Sequence, residues 1–215
     1  PACRQAGVRG NDDEYSMKIA IVHDFLREYG GAERVVEALH EIWPEAPVYT
    51  SFVDWPTLGD HTKRFTGWDI RTSWVQDNWV MRKFHSPLGF LAAMVWESFD
   101  LSDYDVVITS SGWFIDRGVK AGRRGLKSAT TLPLQICYIH HPPRNLYGYA
   151  TGSTWQARNK LRYYLVRAYG AIINFFLRHY DYQTAQRVDY FIANSKETAR
   201  RVQNFYRRER EVVYP

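Results

Sequence analysis

The run Met17 to Pro44, MKIAIVHDFLREYGGAERVVEALHEIWP, constrains the fold more than any other part of the chain. Lys18 to His23 is a short apolar run with the length of a buried strand. Asp24 to Tyr29 follow as a loop, and then comes the pair Gly30-Gly31. From there apolar residues recur at Ala32, Val35, Val36, Leu39 and Trp43, which is one face of an amphipathic helix. Pro44 ends it, because proline cannot supply the next helical hydrogen bond. The order is strand, glycine loop, helix. In an open parallel sheet this is where an anionic ligand meets free backbone N–H groups and the positive end of a helix. Glycine suits that place because a Cβ holds a ligand off the backbone. A glycine pair that only makes a tight turn is the competing reading, and the pair by itself does not separate the two.

The same alternation runs on. Ala46 to Phe52 reads as a second strand, and Asp54 to Gly67 as a polar connection. Trp68 to Trp74 alternates enough for a third strand at an edge. Val75 to Phe99 predicts two helices meeting at Ser86-Pro87, the second from about Leu88 to Ser98. Asp105 to Thr109 is a buried strand followed by Ser110-Ser111-Gly112, and Arg117 to Lys127 is a basic loop. Leu134 to Ile139 is another strand, ending at His140-His141-Pro142-Pro143-Arg144. Leu161, Tyr164, Leu165, Ala168, Ile172, Phe175, Phe176 and His179 form a long helical stripe. Val188 to Ala193 is a strand ending at Asn194-Ser195, where Ser195 can cap a helix from Lys196 to Tyr206. Glu211 to Tyr214 starts a last strand. Strands alternating with helices predict an α/β fold, a doubly wound parallel-sheet Rossmann-like domain in three layers.

Charge is divided along the chain. Residues 1–116 carry a net −8 and residues 117–210 a net +14. The second half therefore suits an acidic partner: nucleic acid, an anionic membrane or a phosphorylated substrate. Arginine-rich helix surfaces without a partner are the plainer explanation. Cys3 and Cys137 make no disulfide framework, and Cys137 reads as a core residue of a reducing compartment. No CxxC-type metal spacing is present. Residues 1–16 have no apolar core of a secretory signal and read as a disordered leader, with the domain starting at Met17. No stretch is long and apolar enough to cross a bilayer; Ala168 to Leu177 is too short. The expected localisation is cytoplasmic, with peripheral attachment to the inner face of the membrane through the apolar-basic segments 74–90 and 160–179.

Sites of such folds sit at the carboxyl ends of strands. Those ends hold His23-Asp24 with Gly30-Gly31, Ser110-Ser111-Gly112, His140-His141 with Arg144, and Asn194-Ser195. Glycines, small hydroxyls, histidine and arginine are groups that hold phosphates and sugar hydroxyls. Four segments, IVHDFLREYGGAERVVEAL, FDLSDYDVVITSSGWF, CYIHHPPRNLY and VDYFIANSKETARRVQNFYRRE with VVYP, resemble the N-terminal half of family-4 glycosyltransferases. These are retaining enzymes in which two Rossmann-like domains face each other across a cleft, the GT-B architecture. The resemblance covers nearly all of residues 17–215, and its second and third segments are most similar to the branch using GDP-mannose or similar donors in surface-polysaccharide assembly.

The resemblance implies a hexosyltransferase, mannosyltransferase-like, passing sugar from a nucleotide-sugar donor to a glycan or lipid-linked acceptor. It implies no cofactor and no metal requirement. His140 is the implied catalytic residue, beside the transferred sugar, with His141 open as the alternative. Gly30 and Gly31 admit the donor diphosphate, and Arg144 holds a phosphate or acceptor oxygen, a plain surface arginine after two prolines being the competing reading. Asp24 braces the glycine loop; Ser110, Ser111, Asn194 and Ser195 complete the substrate edge. The implied C-terminal donor domain has no match in residues 17–215, so this chain alone is expected to be inactive. Two rivals remain from the residues. A nucleotide-binding oxidoreductase needs GxGxxG after the first strand, and its first glycine is missing. A non-catalytic basic module docking on membrane or RNA fits the charge of the second half, but no RNA-binding signature is present.

Overall fold

The computed structural model describes residues 17–83, 89–120, 133–148 and 160–215. The expected leader at 1–16, the Ser86-Pro87 break and most of the basic loop after Arg117 lie outside the described residues. Seven strands among the described residues form one sheet: β1 (Ile19–His23), β2 (Val48–Thr50), β3 (Ile70–Thr72), β4 (Val106–Ser111), β5 (Leu134–Ile139), β6 (Tyr190–Ala193) and β7 (Glu211–Val212). Their order is β3-β2-β1-β4-β5-β6-β7, and every pairing is parallel. This is the doubly wound Rossmann-like sheet expected from the alternation, and the reversal of direction falls between β1 and β4.

Register assigns the two faces. Helix α1 (Gly31–Ile42) puts Val36 against Ile21 and Val48. On the opposite face Ala20, Val22 and Val107 pack under α4 (Ala92–Trp96), while Cys137, Ile139 and Phe191 pack under α6 (Lys196–Tyr206) and the end of α5 (Lys160–Arg187). Cys137 is the buried core residue predicted for it. Each fully buried Val or Ile contributes about 1.5–3 kcal/mol against exposure, so this two-sided burial fixes the register.

Two expectations are corrected. The polar connection after β2 contains α2 (Trp55–Leu58) and a 3-10 turn, Gly59–Phe65, because Leu58 and Phe65 bury against Leu26 and Val53. The two helices of 75–99 are short: α3 (Trp79–Lys83), α4 and flanking 3-10 turns. Along α5 the described aromatic side chains of the stripe lie on its exposed side. Tyr164, Ile172, Phe175 and Phe176 are exposed, whereas Leu177, Asp181, Thr184 and Ala185 are buried. At Gly118 the turn after β4 meets α5 so closely that an added Cβ collides with the Tyr180 hydroxyl.

Candidate functional site at the carboxyl edge of the sheet

The predicted residues of the central strands gather at one edge, but the sheet separates neighbours in sequence. Side chains alternate along a strand, so His23, Ser110 and His140 lie on the α1 side while Asp24, Ser111 and His141 lie on the other.

On the α1 side a continuous chain of contacts runs from histidine to glycine. His140 Nε2 is 2.9 Å from Ser110 Oγ. The Ser110 carbonyl lies 3.1 Å from His23 Nδ1, which must therefore donate. His23 Nε2 is 3.5 Å from Glu33 Oε1. Glu33 Oε2 accepts from the Gly30 N–H at 2.8 Å. Gly30 is the residue before the first turn of α1, and Glu33 stands three positions on, so a carboxylate folds back over the helix start. An added Cβ at Gly31 meets no protein atom within 4 Å, so packing within this chain does not require glycine there.

Electrostatics divide the two histidines. Burial opposes a charge on His23, but the hydrogen bond and charge of Glu33, with Asp24 and Asp116 nearby, outweigh it and raise its pKa. Burial likewise works against ionised Glu33, and His23 with the Gly30 N–H more than restores it, giving a lowered pKa. The two shifts run in the sense that favours a charged His23 facing a charged Glu33. His140 goes the other way: burial, then the charges of His23 and His141, push it down to about 3, so it is neutral at neutral pH.

On the other side Asp24 braces the loop after β4, not the glycine loop. Its Oδ2 accepts from the N–H groups of Gly112 at 3.0 Å and Trp113 at 2.5 Å, and its Oδ1 from Phe114 at 2.9 Å. That clamp, with the Trp96 Nε1–H donating to the Phe114 carbonyl at 2.5 Å, holds buried Ile115 at a φ of 57°. A left-handed β-branched residue costs about 1–2 kcal/mol and persists only where its surroundings over-determine it. His141 packs perpendicular to the Trp113 ring at 5.4 Å, and the Arg144 guanidinium is 5.9 Å from the same ring.

The remaining predicted residues are spent on structure. Ser111 is fully buried, and its Oγ accepts from Arg117 Nη1 at 2.8 Å. Ser195 Oγ accepts from the Thr198 N–H at 3.2 Å, the helix cap expected of it, and bonds Asn194 Oδ1 at 3.1 Å. Thr198 in turn donates to the His140 carbonyl at 3.0 Å, fastening α6 to the histidine turn. The sequence places His23 at the site edge without a role, and singles out neither Glu33 nor Trp113. Glu33 had a signal, an acid three residues after a helix start. Trp113 had none.

Asp116 is fully buried with no well-formed hydrogen bond to either oxygen, and burial together with the Asp24 charge raises its pKa to about 8. A carboxyl raised in the fold above its unfolded value favours folding at low pH and loses that contribution as pH rises towards 8. Asp116→Asn removes the titration. Its stability relative to wild type should rise between pH 5 and pH 8 by about 2 kcal/mol, roughly half the full linkage because Asp24 shares the protons. Thermal melts at the two pH values measure it; a constant difference refutes it.

Among the described residues no group of acids, histidines and cysteines is arranged to hold a metal ion. No curated protein and no solved structure matches the chain. The family model for Glycosyltransferase Family 4 matches residues 29–215, which takes in the glycine loop, both serines, the histidine pair and the Asn194-Ser195 turn, and leaves His23 and Asp24 just outside. With that match over most of its length, on a parallel Rossmann-like sheet of the kind found in the N-terminal domain of GT-B enzymes, the chain belongs to glycosyltransferase family 4.

Proposed function

We propose that this domain forms the acceptor-side wall of a retaining hexosyltransferase that passes a mannose-like sugar from a nucleotide donor such as GDP-mannose to a glycan or lipid-linked acceptor in surface-polysaccharide or glycolipid synthesis. The observation that carries this reading is the contact chain from neutral His140 through Ser110, His23 and Glu33 to Gly30. It ties a histidine able to hydrogen-bond a sugar hydroxyl to a helix start able to face a diphosphate. The open side of Gly31 leaves the space such a group needs. Arg144 supplies a second anion contact. A C-terminal domain supplies most donor contacts in this reading, and no metal is required. A helix terminus contributes roughly 0.3–1 kcal/mol towards an anion, against about 8 kcal/mol for micromolar affinity. Residues 17–215 alone therefore hold the donor weakly.

In the two-domain enzyme, His140→Ala is expected to lower turnover with GDP-mannose by about 2–4 kcal/mol of transition-state stabilisation, the worth of one well-placed hydrogen bond in a dry site. At saturating acceptor His141→Ala should lower turnover much less, because its side chain stands on the other side of the edge from the donor. The reverse ranking in a transfer assay overturns the assignment.

The same reading places the domain at the cytoplasmic face of a membrane. No described helix is long and apolar enough to cross one. Helix α5, however, exposes Ile172, Phe175 and Phe176 at 59%, 64% and 65%. It also carries Lys160, Arg162, Arg167, Arg178 and Arg187 against one acid, Asp181. Apolar side chains beside several cations suit an anionic bilayer, where each cation near the surface contributes about 1 kcal/mol. Flotation with anionic vesicles at low salt is expected to carry the protein up, and Phe175→Ser with Phe176→Ser to leave it below. Equal flotation with neutral vesicles counts against the reading. Nucleic acid has no part in it.

A further inference from the structure

We propose that Trp113, His141 and Arg144 form the seat of the second substrate, a pyranose bearing a phosphate group, with the Trp113 indole as stacking platform and Arg144 as anion contact. This rests on the transferase reading above and adds the chemical class of the acceptor. Several tryptophans are exposed on this protein, but Trp113 differs in what lies beneath it. Its N–H and those of both neighbours are clamped by one buried carboxylate, Asp24, so the backbone under an indole that is 43% exposed is rigid. A sugar presents a face of C–H groups to an aromatic ring, and a ring already held still loses little freedom when it is covered.

The surroundings choose the substrate charge. Arg144 lies against the indole and makes no salt bridge among the described residues. His141 is half-buried beside the same ring, and burial, with Arg144 and Arg201 close by, lowers its pKa; its Nδ1–H donates to the Pro142 carbonyl at 3.2 Å, which leaves Nε2 to accept from a sugar hydroxyl. The acid nearest this corner, Asp24, is buried and takes up the N–H groups of Gly112, Trp113 and Phe114. What remains open is a cation beside an aromatic plane, which fits a phosphorylated sugar better than a neutral one. The geometry also separates two substrates. Gly30, Glu33, His23 and His140 occupy the α1 side of the edge, whereas Trp113 and His141 stand across it. A donor diphosphate at the glycine loop thus leaves this seat free for the acceptor.

The test is calorimetric titration of the chain with mannose 1-phosphate, methyl α-mannoside and inorganic phosphate. Wild type is expected to prefer mannose 1-phosphate over either fragment. Trp113→Ala should weaken it by up to about tenfold, the range of one aromatic contact, and Trp113→Phe should retain most of the binding. Arg144→Gln should weaken the phosphorylated sugar and leave methyl α-mannoside unchanged. Thermal melts confirm folding, since the clamp on residue 113 is made by its backbone. A decyl phosphodiester of mannose distinguishes the source: a further gain assigns a lipid-linked acceptor, no gain a soluble one. Wild type without a preference for mannose 1-phosphate, or Trp113→Ala equal to wild type, overturns the proposal. No donor is present in these titrations, so such a failure leaves the His140 turnover test standing.

Discussion

Asp181→Ala is expected to destabilise the domain by about 3–5 kcal/mol, the cost of breaking a buried ion pair from one side. Both Asp181 and Arg117 are fully buried. Arg117 Nη2 donates to Asp181 Oδ1, and Asp181 Oδ2 accepts from the hydroxyls of Tyr147 at 2.7 Å and Tyr206 at 2.8 Å. Burial opposes the charge on Arg117, and Asp181 more than restores it, so its pKa lies above the ordinary value. Removing the carboxylate leaves the buried guanidinium without its counter-charge and takes the acceptor from two phenolic hydroxyls. The network joins four parts of the chain: the turn after β4, the turn after β5, helix α5 and the end of α6. Its loss should therefore lower the urea midpoint of the whole domain, not fray one helix. Arg117→Met together with Asp181→Leu removes both charges and should recover much of the loss, because apolar replacement of a buried pair is often close to neutral. A loss under about 1 kcal/mol for Asp181→Ala means that water reaches the site.

Asp24→Ala comes next in size, at about 3 kcal/mol. Three backbone N–H groups lose their acceptor, and each costs about 1–3 kcal/mol when buried, less at Trp113 where solvent can reach. The strain at Ile115 is then no longer held, so the loop should relax. Urea unfolding measures the loss, and amide exchange at Gly112, Trp113 and Phe114 should accelerate well beyond that of β4. Asp24→Asn keeps one acceptor oxygen and should fall between wild type and alanine. Unchanged exchange in Asp24→Ala shows that the loop is fixed by Trp96 and not by the carboxylate. The same variant disturbs the backbone under Trp113, so it should also weaken sugar-phosphate binding, linking the clamp to the edge it supports.

The alternation of strand and helix was legible in the sequence because it is written in local periodicity. KIAIVH, DVVIT, LQICYI and VDYFIA are short apolar runs; the structure makes each a parallel strand, with the predicted residues at the ends of β1, β4 and β5 along one edge. The cap at Ser195 was legible for the same reason, since capping acts within a few residues. What local pattern does not encode is which side of the sheet a residue reaches and what it meets there. His140 and His141 are equivalent in sequence, and only the pleat sends one towards Ser110 and the other towards Trp113. Asp24 and Phe114 are ninety positions apart in sequence, so no spacing rule links them; the pairing of β1 with β4 does. The stripe on α5 has helical periodicity whether it faces core or solvent, and the face that turns inward carries Leu177, Asp181, Thr184 and Ala185, with Asp181 paired to Arg117. Sequence determined the elements and the residues available at their ends. Tertiary structure decided their partners, because burial and hydrogen bonding join groups by distance in space, and distance along the chain says little about that.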